Sequence, residues 1–166
     1  MSGYEHPLPA SITQTGYLDL SGYEHPLPAS ITQTGNLDLR GYEHPLPASI
    51  TQTGNLYLRG YEHPLPASIT QTGYLDLRGY EHPLPASIKC SSIKIDNTGP
   101  WGIEINLRKI SIGCKTKYTD GWKEFFKNKS FYETSPSSEQ YQFIVNDFHK
   151  AIEIQEKYKD ILMEIN

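Results

Sequence analysis

The sequence predicts an α+β protein. An N-terminal parallel β-solenoid of 19-residue repeats spans 1–96, and an α/β capping region of a few strands, a short helix and a long terminal helix spans 97–166. Three observations predict it. A unit beginning at Gly3 returns at Gly22, Gly41 and Gly60, and breaks off after Ile88 in a fifth copy that starts at Gly79. A unit this small cannot bury an apolar face alone, so it gains a core only by stacking on its neighbours. Inside each unit leucines alternate with polar residues, and past residue 135 apolar residues recur at helical spacing instead.

The alternation sets the strands. Leu18 and Leu20, Leu37 and Leu39, Leu56 and Leu58, and Leu75 and Leu77 never change between copies. Side chains in a strand point to opposite faces in turn, so the leucines read as inward and their neighbours as outward. The outward positions are where the copies differ: Tyr17, Asn36, Asn55 and Tyr74, then Asp19, Asp38, Tyr57 and Asp76, then Ser21, Arg40, Arg59 and Arg78. In a parallel stack with strands about 4.8 Å apart, these form three columns on one face. Asp38 and Asn55 are expected to be solvated there, so that changing either is nearly neutral.

The rest of the unit is a return path. Gly22 and its copies follow the strand, where a positive φ is useful. The His-Pro-Leu-Pro run is expected to be extended, because proline lacks an N–H and fixes φ. Leu8, Ala10 and Ile12 close the core from that side, and Thr-Gln-Thr-Gly turns into the next strand.

The pattern L-x-L-x-x-Y-x-x-x-L-P-x-S-I resembles the short, bacterial type of leucine-rich repeat over roughly 1–96. It departs from that family where the usual Asn after the strand is Tyr23, Tyr42 or Tyr61, so a different β-solenoid is the alternative. The near-identical copies also resemble repeat runs in phage and bacterial proteins. The leucine-rich-repeat resemblance implies recognition of a partner through the sheet face.

Beyond Ile88, Ser92–Asp96 alternates again as a fifth strand with Ser92, Lys94 and Asp96 outward. Ile103–Leu107 and Lys109–Ile112 read as two further strands, which can pair as a hairpin. Gly121–Lys127 reads as a short helix capped by Thr119 or Asp120, with Trp122, Phe125 and Phe126 on its apolar face. Ser135 and Pro136 then suit the start of a long helix to Asn166, about 45 Å at 1.5 Å per residue.

Charge is uneven: residues 1–88 hold eight acidic and three basic residues, whereas 89–166 hold eleven and twelve. No strong basic patch suggests duplex nucleic acid. No apolar run is long enough to span a membrane, and the residues after Met1 do not read as a secretory signal, so a cytoplasmic protein is expected. Cys90 and Cys114 are expected to be thiols in that compartment.

Glu-His pairs recur at His6, His25, His44, His63 and His82. Metal ligands must converge on a point, and these stand in a line beside prolines, so they read as structural. No nucleophile has a fixed relation to them, and no phosphate loop, CxxC pair or HExxH occurs. The expectation is a non-enzymatic recognition protein, with no cofactor or metal. It would bind a protein partner through Tyr17, Asp19, Asn36, Asp38, Arg40, Asn55, Tyr57, Arg59, Tyr74, Asp76, Arg78 and Lys94. One alternative is a phage-type binder that sequesters a small anionic or nucleotide ligand between the Arg column and Trp101, Trp122 and Tyr118. Another is an enzyme centred on the C-terminal region with Cys114. The open edge of Tyr17–Ser21 further suggests a homodimer through the N-terminal coil.

Overall fold

A computed structural model describes residues 6–52, 54–130 and 134–164. The chain divides into two compact units, Met1–Ser91 and Ser92–Asn166.

In the first unit each repeat contributes strand to a parallel array. β1 (Gln14–Asp19) pairs with β2 (Gln33–Asp38), and β2 with both β3 (Thr51–Gln52) and β4 (Leu56–Tyr57). β4 then pairs with β5 (Gln71–Asp76), so Leu18, Leu37, Leu56 and Leu75 stand in one row. All four are buried, as are Leu20, Leu39, Leu58 and Leu77 behind them. Leu27, Leu46 and Leu65 with Ile31, Ile50, Ile69 and Ile88 close the core from the return path. Apolar residues stacked one per repeat keep each layer covered by the next, which is how so short a unit becomes stable.

Two glycine columns let the layers approach and turn. Tyr23 N–H donates to the Leu20 carbonyl at 3.0 Å, and the turn this closes has Gly22 at φ 74°. The same geometry recurs at Gly41, Gly60 and Gly79, where a β-carbon would be strained. Gly16, Gly35, Gly54 and Gly73 form the second column. A β-carbon on Gly35 would sit 2.1 Å from the Gly16 carbonyl oxygen, so only glycine fits between those strands.

A tyrosine ladder stands where the leucine-rich-repeat pattern has asparagine. Tyr23, Tyr42, Tyr61 and Tyr80 stack with centroids 6.3, 6.4 and 6.4 Å apart. Each hydroxyl accepts the N–H of a return-path leucine in the preceding repeat: Leu8, Leu27, Leu46 and Leu65 respectively. These leucines lie between prolines, where no sheet partner is at hand for their N–H groups. The tyrosine supplies the acceptor and its ring supplies packing.

The expected parallel β-solenoid with an α/β cap is not the fold. The class is α+β, but the strands form a mixed sheet of order β1-β2-β4-β5-β6-β7-β8-β9, and its C-terminal half is antiparallel. β6 (Lys89–Ile95) is the turning point. It pairs antiparallel with β7 (Ile103–Ile105), β7 with β8 (Lys109–Ile112), and β8 with β9 (Lys115–Tyr118). The reason is loop length. A parallel connection needs a long crossover, which the 19-residue unit provides as far as Ile88. The links after β6, β7 and β8 are too short to do anything but reverse the chain.

In the second unit α1 (Thr119–Lys127) and α2 (Glu139–Lys157) pack on the antiparallel strands and on each other. Ile103, Ile105, Ile110, Ile112, Trp122, Phe148 and Ala151 make the core. Trp122 stacks on Phe126 at 5.6 Å and gives its indole N–H to the Ile110 carbonyl at 2.7 Å.

Both helices differ from the sequence reading. α1 begins at Thr119 with Tyr118 as N-cap, and no side chain caps it, because the Thr119 hydroxyl is spent on Arg108 and Gln155. α2 starts three residues later than Pro136 and ends at Lys157, so it spans about 28 Å. Ser138, not Ser135, caps it by accepting the Tyr141 N–H at 3.1 Å. Among the described residues no helix is long and apolar enough to cross a membrane.

Candidate binding face of the repeat strands

Alternation puts the candidate residues beside one another on the strands, but their side chains do different work. Asp38 and Asp76 are buried at 1% and 2%, contrary to a solvated column. Arg40 bonds both carboxylate oxygens of Asp38, with Nε at 2.9 and 3.0 Å and Nη2 at 2.5 Å from Oδ2. Arg78 holds Asp76 in the same way, at 2.9, 3.2 and 2.6 Å. Each aspartate also accepts the backbone N–H of its arginine. The spacing Asp-Leu-Arg puts acid and base on the same strand face two residues apart, and the fork of the guanidinium matches the carboxylate. That clamp buries a charge that could not be buried alone. It also holds the Arg40 guanidinium more firmly protonated than usual.

The first repeat uses a smaller version. Asp19 accepts from the Ser21 N–H at 2.9 Å and its hydroxyl at 2.6 Å, which lowers the Asp19 pKa. Tyr17 lies 57% exposed nearby, and partial burial followed by the charges of Asp19 and Asp38 raises its pKa.

Asn36 and Asn55 are structural as well. Asn36 Oδ1 accepts the Asn55 N–H at 2.7 Å, and Asn55 Oδ1 accepts the Tyr74 N–H at 3.0 Å. A β-carbon at Gly54 would come 2.3 Å from Asn36 Oδ1, so glycine makes room for this amide. The parallel register passes there from an 18-residue offset at β3 to a 19-residue offset at β4. The asparagine carries the hydrogen-bond ladder across that slip.

The third repeat breaks the pattern. Tyr57 replaces the aspartate, yet Arg59 remains. Among the described residues Arg59 is exposed and makes no ion pair. Tyr57 and Tyr74 pack ring to ring, centroids 5.7 Å apart and tilted by 53°. Lys94 belongs to the second unit, where it lies opposite Glu104 on β7.

The Glu-His pairs are structural. The Nε2 atoms of His44, His63 and His82 lie 2.8, 2.7 and 2.6 Å from the carbonyls of Glu24, Glu43 and Glu62. A carbonyl only accepts, so Nε2 is the protonated nitrogen and donates. Each imidazole also meets the tyrosine of its own repeat edge-on or tilted. Among the described residues no cluster of ligands could hold a metal. Cys90 and Cys114 are free thiols, and burial pushes the Cys90 pKa up to about 12. Trp122, expected to help hold an anion, is only 2% exposed and cannot touch a ligand.

Sequence reading therefore missed the carboxylate clamps, although the Asp-Leu-Arg spacing was the signal for them. Comparison with protein-family models, with curated proteins and with solved structures returns no match.

Proposed function

We propose that this chain is a non-enzymatic recognition protein that binds a protein partner on the outward face of its repeat strands, centred on Tyr57, Arg59 and Tyr74. One observation carries the reading: the clamp that occupies Arg40 and Arg78 is absent at Arg59, because its aspartate is Tyr57. Arg and Tyr are the residue types that anchor protein interfaces, the first through charge-assisted bonds and the second through large rigid area. Here a guanidinium with no ion pair stands on the face that carries a tilted tyrosine pair. The partner suited to it offers a carboxylate beside an apolar or aromatic side chain. Asp38, Asp76, Asn36 and Asn55 hold the face in shape rather than contact the partner.

The test is photo-crosslinking in a cell lysate from a photoreactive phenylalanine analogue at position 57, which keeps an aromatic ring there, with Arg59→Glu and Tyr74→Ala as controls. The probed chain should crosslink to one or a few proteins and lose them when either change is added, while Glu43→Gln keeps them. Crosslinks that survive Arg59→Glu unchanged would sink the reading.

A further inference from the structure

The second unit contains an open cavity of about 330 Å³ that the recognition face does not use. Asn106, Arg108, Lys109, Tyr118 and Glu164 supply its polar lining, beside the apolar Leu107 and Met163. We propose that this cavity is a site for a nucleoside phosphate, with the phosphate on Arg108 and Lys109 and the base against Tyr118.

The frame is rigid before any ligand arrives. Asn106 Oδ1 accepts the N–H groups of Arg108 and Lys109 at 3.1 and 2.7 Å. Gln155, from α2, donates to the Asn106 carbonyl at 2.8 Å and accepts from the Thr119 hydroxyl at 2.9 Å. Thr119 in turn gives its N–H to the Arg108 carbonyl at 3.0 Å. The turn between β7 and β8 is thus tied to both helices, and the two cations project from a fixed backbone. Only the side chains then remain to be ordered when a ligand binds, which lowers the cost of binding.

The chemistry of the lining matches a phosphate beside a ring. A guanidinium fork and an ammonium are the usual phosphate donors. The amide nitrogen of Asn106 makes no hydrogen bond among the described residues and is a further donor. Tyr118 is the N-cap of α1, whose start no side chain caps, so the positive end of that helix lies at the same place. Between Arg108 and Lys129 the chain holds seven basic and two acidic residues, which draws anions toward it. Tyr118 is 60% exposed, and Lys109 Nζ lies over its ring at 4.9 Å from the centroid. A base stacked on the exposed ring would leave its phosphate within reach of that ammonium.

The anion place already has an occupant. The Glu164 carboxylate pairs with Arg108, and both side chains are more than half exposed, at 56% and 68%. A pair that open to water contributes little, so a doubly charged phosphate displaces it. Glu164 is therefore a competitor, and removing its charge should tighten binding.

Calorimetry on the full chain tests this with adenosine and guanosine monophosphates, inorganic phosphate, adenosine and a short single-stranded oligothymidylate. A mononucleotide should bind saturably with Kd of about 1 mM or tighter. Arg108→Ala with Lys109→Ala, and separately Tyr118→Leu, should weaken it about tenfold or more, a loss of ~1.4 kcal/mol. Glu164→Gln should strengthen it several-fold. Melting temperatures identify any variant that has failed to fold, and Glu164→Gln, which removes no packing, keeps the test open in that case. A tighter oligothymidylate with the same variant pattern supports the site and makes the source a single strand. Phosphate alone or adenosine alone binding as well as the nucleotide overturns it, as does no saturable binding, or binding that Glu164→Gln leaves unchanged or weakens.

Discussion

Asp38 and Arg40 lie two residues apart on one strand face, and the guanidinium covers a carboxylate that is 1% exposed. The same pair in the fourth repeat, Asp76 and Arg78, is drier still on the arginine side. Removing the arginine leaves a buried charge with fewer partners, whereas Arg59 has no such charge to cover. Arg40→Ala should therefore cost about 1–3 kcal/mol, reduced toward the low end because half of the Arg40 side chain is in water. Arg59→Ala should stay within about 0.5 kcal/mol. Urea denaturation that ranked the two the other way would refute the assignment of clamp and free cation.

Gly16 and Gly35 occupy the same place in successive repeats but meet different surroundings. A β-carbon on Gly16 meets nothing within 4 Å, while one on Gly35 meets the Gly16 carbonyl oxygen at 2.1 Å. Gly16→Ala should be neutral or slightly stabilising, since it restricts the unfolded chain by about 0.4–1 kcal/mol. Gly35→Ala must push two strands apart and should lower the melting temperature clearly. Equal melting temperatures for the two would contradict the close approach.

The tyrosine ladder predicts alkaline sensitivity. Burial raises the Tyr42 pKa from 10.0 to about 12, and the Tyr61 pKa in the same direction. A tyrosine whose folded pKa is raised holds its proton in the folded state where the unfolded chain has lost it. Its contribution is intact below pH 10 and is lost as pH rises through about 12. For Tyr42 alone the loss is at most about 3 kcal/mol. Denaturation between pH 9 and 12 should show stability falling in wild type and falling less in Tyr42→Phe. Below pH 9 that variant should itself be weaker by about 1–3 kcal/mol, having orphaned the Leu27 N–H.

The second unit rests on one aromatic cluster. Phe148 lies 4.9 Å from Phe126 and 6.2 Å from Trp122 and is 3% exposed. Phe148→Ala should cost about 3–5 kcal/mol. Tryptophan fluorescence would read it directly, and a red-shifted emission at the same denaturant midpoint as wild type would be the wrong outcome.

Repetition let the sequence determine the parallel strand of each unit, the leucine rows and the glycine turns by itself. An error at one leucine would have been visible against the three copies beside it, and strand periodicity decides which face is buried. The same periodicity marked Asp38, Asp76, Asn36 and Asn55 as outward, which is true of their direction and misleading about their burial. Burial depended on which neighbours cover them, and a pattern of period two carries no information about that. Only the folded chain showed that Arg40 lies over Asp38, that Asn36 reaches the next strand, and that the tyrosines after each glycine accept leucine N–H groups. The alternation of Ile103–Ile105 and Lys109–Ile112 and the short link between them left a hairpin legible in the sequence. The antiparallel pairing of β6 with β7, and of β8 with a further strand β9, was not read there and is seen only in the folded chain. Lys109 faces Tyr118 across the β8–β9 pair, which brings Arg108 and Tyr118 together locally, and the packing of α2 on β7 and β8 brings Glu164 to the same cavity from the end of the chain.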